Sequence, residues 1–365
     1  MGKYAAKSDK KSSFFLFLIT CLSLQNVLQS KSIYILIKKG FPMTKNPLWL
    51  DKPYYSLNAY FKHTFEEKCY KIALDGGFSC PNRDGTIGVG GCIFCSGSGS
   101  GDFSTSAYGQ LSIHEQLQAG LALMGDKKTG NKFVAYFQAF TNTYGPIDTL
   151  RRLYTEALDA PEVIGISIAT RPDCLGPEVL ELLAALKQTY SNKFIWIELG
   201  LQTIHDETAR YIRRGYDLPV FTKTTRALHA LGIPFIVHVI LGLPGESPDN
   251  VLQTIDYINT IHPFGIKLQL LHILKETDLA ADFLEGKFEA MSKEAYFALL
   301  GACIARLRPD IVLHRVTGDG PKNLLIAPLW SADKRGVLNQ LHRYLKDNRI
   351  YQGKDFHDTG TINSL

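Results

Sequence analysis

Cys80, Cys92 and Cys95 lie in one glycine-rich stretch, with eleven residues between the first and second and two between the second and third. Thiolates are soft metal ligands, and three of them converging on one loop point to a metal centre. A structural zinc site takes four ligands and closes its shell. No fourth Cys or His lies within ten residues of the trio, so a zinc site would need a distant histidine. Three ligands and one vacant position suit a [4Fe–4S] cluster with one iron left open to a substrate or cofactor. Three further thiols follow different patterns. Cys69 and Cys303 sit in apolar runs and read as small buried hydrophobes. Cys174 follows Arg171-Pro172-Asp173 on a loop, and is either inert or a catalytic candidate.

The elements that must position this loop alternate between strand and helix. Tyr70-Lys71-Ile72-Ala73-Leu74 reads as a short strand broken by Gly76-Gly77. Further Val/Ile/Phe-rich strands are expected at about 133–139, 163–169, 194–200, 234–241 and 265–273. Helical patterns fall between them, at about 112–124, 147–158, 177–188, 206–213 with 218–231, and 248–260. Pro177 and Pro219 stand at helix first turns, and Gly232 at a helix end. Six such β/α units fit a barrel or partial barrel, though a doubly wound sheet shows the same alternation. In both, ligands gather at the C-terminal ends of the strands. The polar motifs fall there: Phe137–Tyr144 after the second strand, Ala169–Asp173 after the third, Glu198–Thr203 after the fourth and His238–Glu246 after the fifth.

The cysteine loop resembles the cluster loop of the radical S-adenosylmethionine (radical SAM) superfamily. The usual spacing there is C-x3-C-x2-C. The longer first gap resembles the Elongator-like branch, and the wording CPNRDGT…GGCIFC is close to that branch's YhcC-like bacterial group. The resemblance covers roughly residues 55–280. It implies an α/β fold, a partial (β/α)6 TIM-like barrel of the radical SAM type with a small C-terminal α/β extension. It implies a [4Fe–4S] cluster on Cys80, Cys92 and Cys95, and S-adenosyl-L-methionine chelating its open iron. Reductive cleavage then yields a 5′-deoxyadenosyl radical that abstracts hydrogen from a substrate. The superfamily's Gly-Gly-Glu segment after strand two is missing; Gln138, Thr141 and Asn142 stand in its place as acceptors for the cofactor's ammonium. Glu198 and Gln202 resemble the ribose- and amino-contacting position. Arg214, just before a glycine, resembles the residue facing the cofactor carboxylate. Gly242 and Gly245 belong to a stretch resembling the adenine motif. His238, just upstream, is either lumen-facing or a core histidine.

The same resemblance suggests tRNA as substrate, through remodelling of a 5-carboxymethylaminomethyl-type wobble uridine, and a reductant such as flavodoxin or ferredoxin. A small-molecule or porphyrin-like substrate is the alternative, and a non-catalytic zinc-stabilised RNA-binding protein a more distant one. Catalytic candidates beyond the cluster are Cys174, Arg315 and Asp319, the last two supplied by the turn-rich stretch around Thr317–Lys322, which could close over a substrate.

Composition bounds these readings. With 45% hydrophobic and 21% charged residues the 365-residue chain is globular. Seven cysteines, an odd number, do not read as a disulfide framework, and a reducing, cytoplasmic setting is expected with no membrane partner. The net charge of +5 misleads: residues 1–42 hold seven Lys against one Asp, leaving −1 for the remainder. That leader pairs Lys10-Lys11 with an apolar run too short to span a bilayer. It resembles a signal peptide, yet export would misplace an iron–sulfur protein, and the expected start is Met43. The expected division is a leader over 1–42, a core over 43–280 and an extension over 281–365. The extension's segment 331–354 carries a local +4. With His342 and Tyr344 interleaved, it is the candidate RNA contact.

Overall fold

Buried parallel strands need apolar residues on both faces, and this chain supplies seven such strands. They are β1 (Cys69–Leu74), β2 (Lys132–Phe137), β3 (Val163–Thr170), β4 (Phe194–Gln202), β5 (Phe235–Leu241), β6 (Gly265–Leu270) and, after the short β7 (Ile273–Leu274), β8 (Val312–Arg315). All neighbours pair in parallel, in the order β1-β2-β3-β4-β5-β6-β8. In this computed structural model the described residues are 46–99, 111–125, 130–318 and 320–357. The leader, Met43 and Asp319 lie outside them. From Leu48 onward the chain forms one compact unit.

The strand order decides between the two architectures open at the sequence level. A doubly wound sheet reverses direction at a switch point. Here each strand simply follows the last, and β1 and β8 are unpaired with each other, so the sheet curls into a partial barrel. No described helix is long and apolar enough to cross a membrane.

One set of alternate strand residues faces the helices. Ile72, Phe137, Ile166, Ile197 and Val237 are among the buried residues of that layer, packed with Leu150, Leu183 and Ile255 from the helices. Helix starts follow local chemistry. Ser112 and Glu115 cap each other reciprocally at Ile113–Met124, as do Ser247 and Asn250 at Pro248–Ile261. Pro177, Pro219 and Pro248 occupy first turns.

The other strand face lines the barrel. Its N-terminal end is plugged by Trp196, stacked with Phe61 at 5.9 Å and close to Phe264 at 4.9 Å. Phe61 comes from the helix Leu57–Phe65, so the N-terminal aromatic segment closes the floor of the barrel.

The helix Lys334–Asp347 buries Val337, Leu341 and Leu345. It also turns the residues expected to interleave an RNA contact toward the protein. His342 Nε2 meets the Tyr54 hydroxyl at 2.9 Å, and Tyr344 packs on Phe297. Lys334, Arg335, Arg343 and Lys346 remain on the exposed side. The contact this face can offer is therefore charge without stacking.

Candidate active site

The long gap between the first two cysteines folds on itself. Ile87 N–H donates to Pro81 O at 2.8 Å, Gly91 N–H to Asn82 O at 2.8 Å, and Asp84 bridges Val89 in antiparallel fashion. The excursion is a miniature hairpin whose feet return Cys92 toward Cys80. Ile93, between the second and third cysteines, is buried and donates its N–H to Ile212 O. Arg83 reaches back to the carbonyls of Cys95 and Ser96. Its guanidinium lies 5.5 Å from the Phe140 ring. At Gly91 the backbone has φ +86°, and a Cβ there would come within 2.8 Å of Arg83 Nε.

Cys80, Cys92 and Cys95 line one cavity of about 270 Å³. The Asn82 amide donates to Cys92 Sγ at 3.6 Å. Burial, reinforced by Cys95, pushes the Cys92 thiol up to about 12. A single ion at about 2.3 Å from each sulfur needs the sulfurs within about 4 Å of one another. Among the described residues no three Cys, His, Asp or Glu approach closely enough to hold one ion. Three cysteines around one cavity are a donor set that a cluster with one open iron takes.

Beside them the cavity offers unmet polar groups. β4 slips register against β5 between Gly200 and Gln202, and Gln202 takes φ +65°. A bulge and a strained non-glycine residue at one strand end redirect a side chain. Gln202 Oε1 is buried there without a hydrogen-bond partner. Arg214 donates to the carbonyls of Leu201, Thr203 and Tyr216, while its Nη2 is likewise buried and unpartnered. Both residues line the cavity. An orphaned acceptor and an orphaned guanidinium donor next to the cysteine loop match the ammonium and carboxylate of an amino acid, such as the methionine end of S-adenosylmethionine.

Other expected contacts divide. Gln138 and Thr141 line the cavity. Asn142 does not: it is fully buried, its Nδ2 donating to the Phe137 and Ala169 carbonyls and tying the ends of β2 and β3 together, while its Oδ1 is buried without a partner. Gly242 and Gly245 also stay off the cavity wall. Their φ values of +90° and +83° shape the turn after β5, and Ile240 faces the cavity instead. Cys174 is off the wall too. Burial, then Asp173, pushes its thiol up to about 12, which favours the protonated thiol. Cys69 and Cys303 are buried. Arg315 lines the cavity.

Glu198 also lines the cavity, but lower in the barrel and more heavily engaged than the sequence suggests. It lies mid-strand, four residues before the end of β4, and its carboxylate is 1% exposed. Oε1 accepts from Lys71 Nζ at 2.6 Å and Ser167 Oγ at 2.7 Å; Oε2 pairs with His238 Nε2 at 2.7 Å and with Lys267 Nζ. With both oxygens engaged it has little to offer a ribose. Burial alone would raise its pKa, but Lys267 and Lys71 outweigh that and hold it well below the usual carboxylate range. Burial, with Lys267 nearby, drives His238 down to about 4, so the imidazole is neutral. Burial also lowers Lys267 to about 7, against the opposing pull of Glu198. Lys71 and Lys267 escaped notice in the sequence. A lone Lys amid the apolar strands Tyr70–Leu74 and Gly265–Leu270 signals a buried partner, because such strands otherwise exclude charge.

The chain is similar to known proteins along most of its length. The radical SAM superfamily model matches residues 83–258, and the radical SAM C-terminal domain model matches 263–347. YtqA of Bacillus subtilis is 41% identical over 306 residues, covering 84% of this chain and 94% of that protein. YhcC of Escherichia coli is 37% identical, covering 78% and 90%. A tRNA uridine(34) acetyltransferase of Dehalococcoides mccartyi is 25% identical over 177 residues, covering 48% of this chain and 37% of that protein. The archaeal Methanocaldococcus infernus Elp3 structure superposes with a TM-score of 0.58 at 15% identity, over 78% of this chain and 64% of that one. Its likeness shows the shared half-barrel fold. Taken with three cysteines at the mouth of that half-barrel, these matches place the chain in the radical SAM superfamily, in its YhcC-like, Elongator-related branch.

Proposed function

We propose that this radical SAM enzyme carries a [4Fe–4S] cluster on Cys80, Cys92 and Cys95 and acts on the side chain of a tRNA wobble uridine. The observation that carries the cofactor reading is the pairing of those cysteines with the unpartnered Gln202 Oε1 and Arg214 Nη2 in one cavity. When bound, the cluster and S-adenosylmethionine would supply a 5′-deoxyadenosyl radical. The protein's part is to orient and to exclude water. Arg214 offers a guanidinium N–H to a carboxylate, and Gln202 a carbonyl to an ammonium. Gln138 and Thr141 add polar contacts on the β2 side, while Phe94, Phe140 and Ile240 provide apolar wall.

Two observations favour tRNA. The branch includes a relative named for uridine(34) of tRNA. The helix Lys334–Asp347 in the segment beyond residue 280 also presents Lys334, Arg335, Arg343 and Lys346 outward, as phosphate contacts require. A low-potential donor such as flavodoxin or ferredoxin and a reducing cytoplasm complete the reading.

The test starts from protein beginning at Met43, reconstituted anaerobically with iron and sulfide. Iron and sulfide content and dithionite-dependent 5′-deoxyadenosine release are measured for wild type and Cys92→Ala. Cluster and cleavage in wild type, both lost in the variant, are expected. Zinc without a cluster, and no cleavage, would overturn the reading. Nucleoside analysis of bulk tRNA before and after turnover then tests the substrate; unchanged wobble uridines would remove tRNA.

A further inference from the structure

Among the described residues, Arg315 is a cation in the barrel with no carboxylate beside it. His238, Lys267 and Arg315 form one row across β5, β6 and β8: His238 stands in register with Lys267, and Lys267 with Arg315. A register slip creates the last pairing. Ile266 opposes Leu313 while Lys267 opposes Arg315, so His314 is the extra residue of a bulge. His314 packs against Trp196 and Phe264 at the barrel floor. Because of the bulge, Arg315 also points into the lumen instead of out toward the helices.

The charges in this row do not balance. Glu198 is committed to Lys71, Lys267, His238 and Ser167. Arg315 donates to Gln269 Oε1 at 3.1 Å, and among the described residues no carboxylate pairs with it. Among the described residues Lys71, Lys267 and Arg315 therefore face one carboxylate. Lys267 and Arg315 both line the cavity that holds the cysteines. They also bound a second cavity of about 370 Å³, shared with Lys71 and Tyr136. The mutual repulsion of Lys71, Lys267 and Arg315 contributes to the lowered pKa of Lys267. An added anion would relieve it.

We propose that Arg315 and Lys267 together bind a carboxylate borne by the substrate. The inference rests on the radical SAM reading for the kind of substrate, not for the existence of the anion site. A backbone phosphate continues as chain on both sides and does not end inside a barrel; a terminal side-chain carboxylate does. The carboxylate of S-adenosylmethionine is the other source of the same chemistry, but Arg214, beside the cysteine loop, already offers it an unpartnered donor.

The experiment uses the reconstituted full chain and equilibrium dialysis. The probes are 5-carboxymethylaminomethyluridine, 5-aminomethyluridine and S-adenosylmethionine. Wild type should bind the carboxylate-bearing nucleoside about 10- to 100-fold more tightly than its aminomethyl counterpart. Arg315→Gln should erase that preference and leave the Kd for S-adenosylmethionine unchanged, and Arg315→Lys should restore part of it. Equal affinity of wild type for the two nucleosides overturns the proposal even if the variants fail to fold. A parallel loss of S-adenosylmethionine binding in Arg315→Gln assigns the site to the cofactor and also overturns it. A wild type that discriminates the nucleosides yet binds no S-adenosylmethionine refutes the radical SAM reading and supports the anion site.

Discussion

Replacing Glu198 by Gln removes one negative charge from the centre of the barrel and leaves Lys71 and Lys267 without a counterion. Both oxygens of the carboxylate are occupied and its side chain is fully buried. Breaking a buried pair by removing one partner costs about 3–5 kcal/mol. For a chain of this size that is a fall in Tm of roughly 4–7 °C at pH 7. Lys267→Met should cost less, because Glu198 keeps Lys71 and His238. In the double variant the two effects should fall short of their sum by about 1–3 kcal/mol, since the second change removes the charge the first left stranded. The pH dependence carries a sign. Lys267 titrates near 7 when folded and 10.5 when not, so the unfolded chain holds the extra proton between those values and stability rises with pH there. Without Glu198 the two ammoniums shed their protons more readily. The deficit of Glu198→Gln should therefore be larger at pH 6 than at pH 9. Differential scanning calorimetry of the four proteins at pH 6, 7 and 9 measures all of this. A Glu198→Gln deficit under about 1 kcal/mol at pH 7, or strict additivity in the double variant, would refute the account of the cluster as a mutually dependent ionic unit.

Three further outcomes are expected. His238, lowered to about 4 when folded, takes up its proton on unfolding between about pH 4 and 6.5, so stability falls by about 3 kcal/mol as pH drops through that window; denaturant midpoints for wild type and His238→Gln, which should lack the slope, check it. Gln202→Gly should relieve about 1 kcal/mol of backbone strain at φ +65° while weakening S-adenosylmethionine about tenfold by dialysis, so that Tm and affinity move in opposite directions; a loss of both counts against the assigned contact. Changing Arg343 and Lys346 together to Gln should reduce the slope of log affinity for tRNA against log salt by about 1.5, and an unchanged slope removes this face from the interface.

The fold was largely legible because parallel strands buried on both sides must be written as short apolar runs between helices. Tyr70–Leu74, Phe235–Leu241 and Gly265–Leu270 stand out for that reason. The convergence of the three cysteines on one cavity was legible because their loop is local in the chain, and its glycines and spacing are visible without a fold. The sequence could not show the strand order, which separates a curled half-barrel from a doubly wound sheet, since alternation alone is common to both. It also left open which polar residues at the strand ends face the lumen. The bulge at Gln202 turned one residue in, and the bulge at His314 turned Arg315 in; a slip of one position reverses every side chain and has no signature in composition. Asn142 and Gly242 stand at the expected strand ends, yet backbone hydrogen bonding by the Asn142 amide nitrogen and turn geometry at Gly242 keep both off the cavity wall. Glu198 was conspicuous as a single carboxylate, but its role depends on Lys71 and Lys267, which lie 127 and 69 residues away along the chain. Local spacing thus determined the cysteine loop and the strand succession. Tertiary structure alone decided the ionic centre of the barrel, because a buried charge takes its meaning from partners that only the closed sheet brings together.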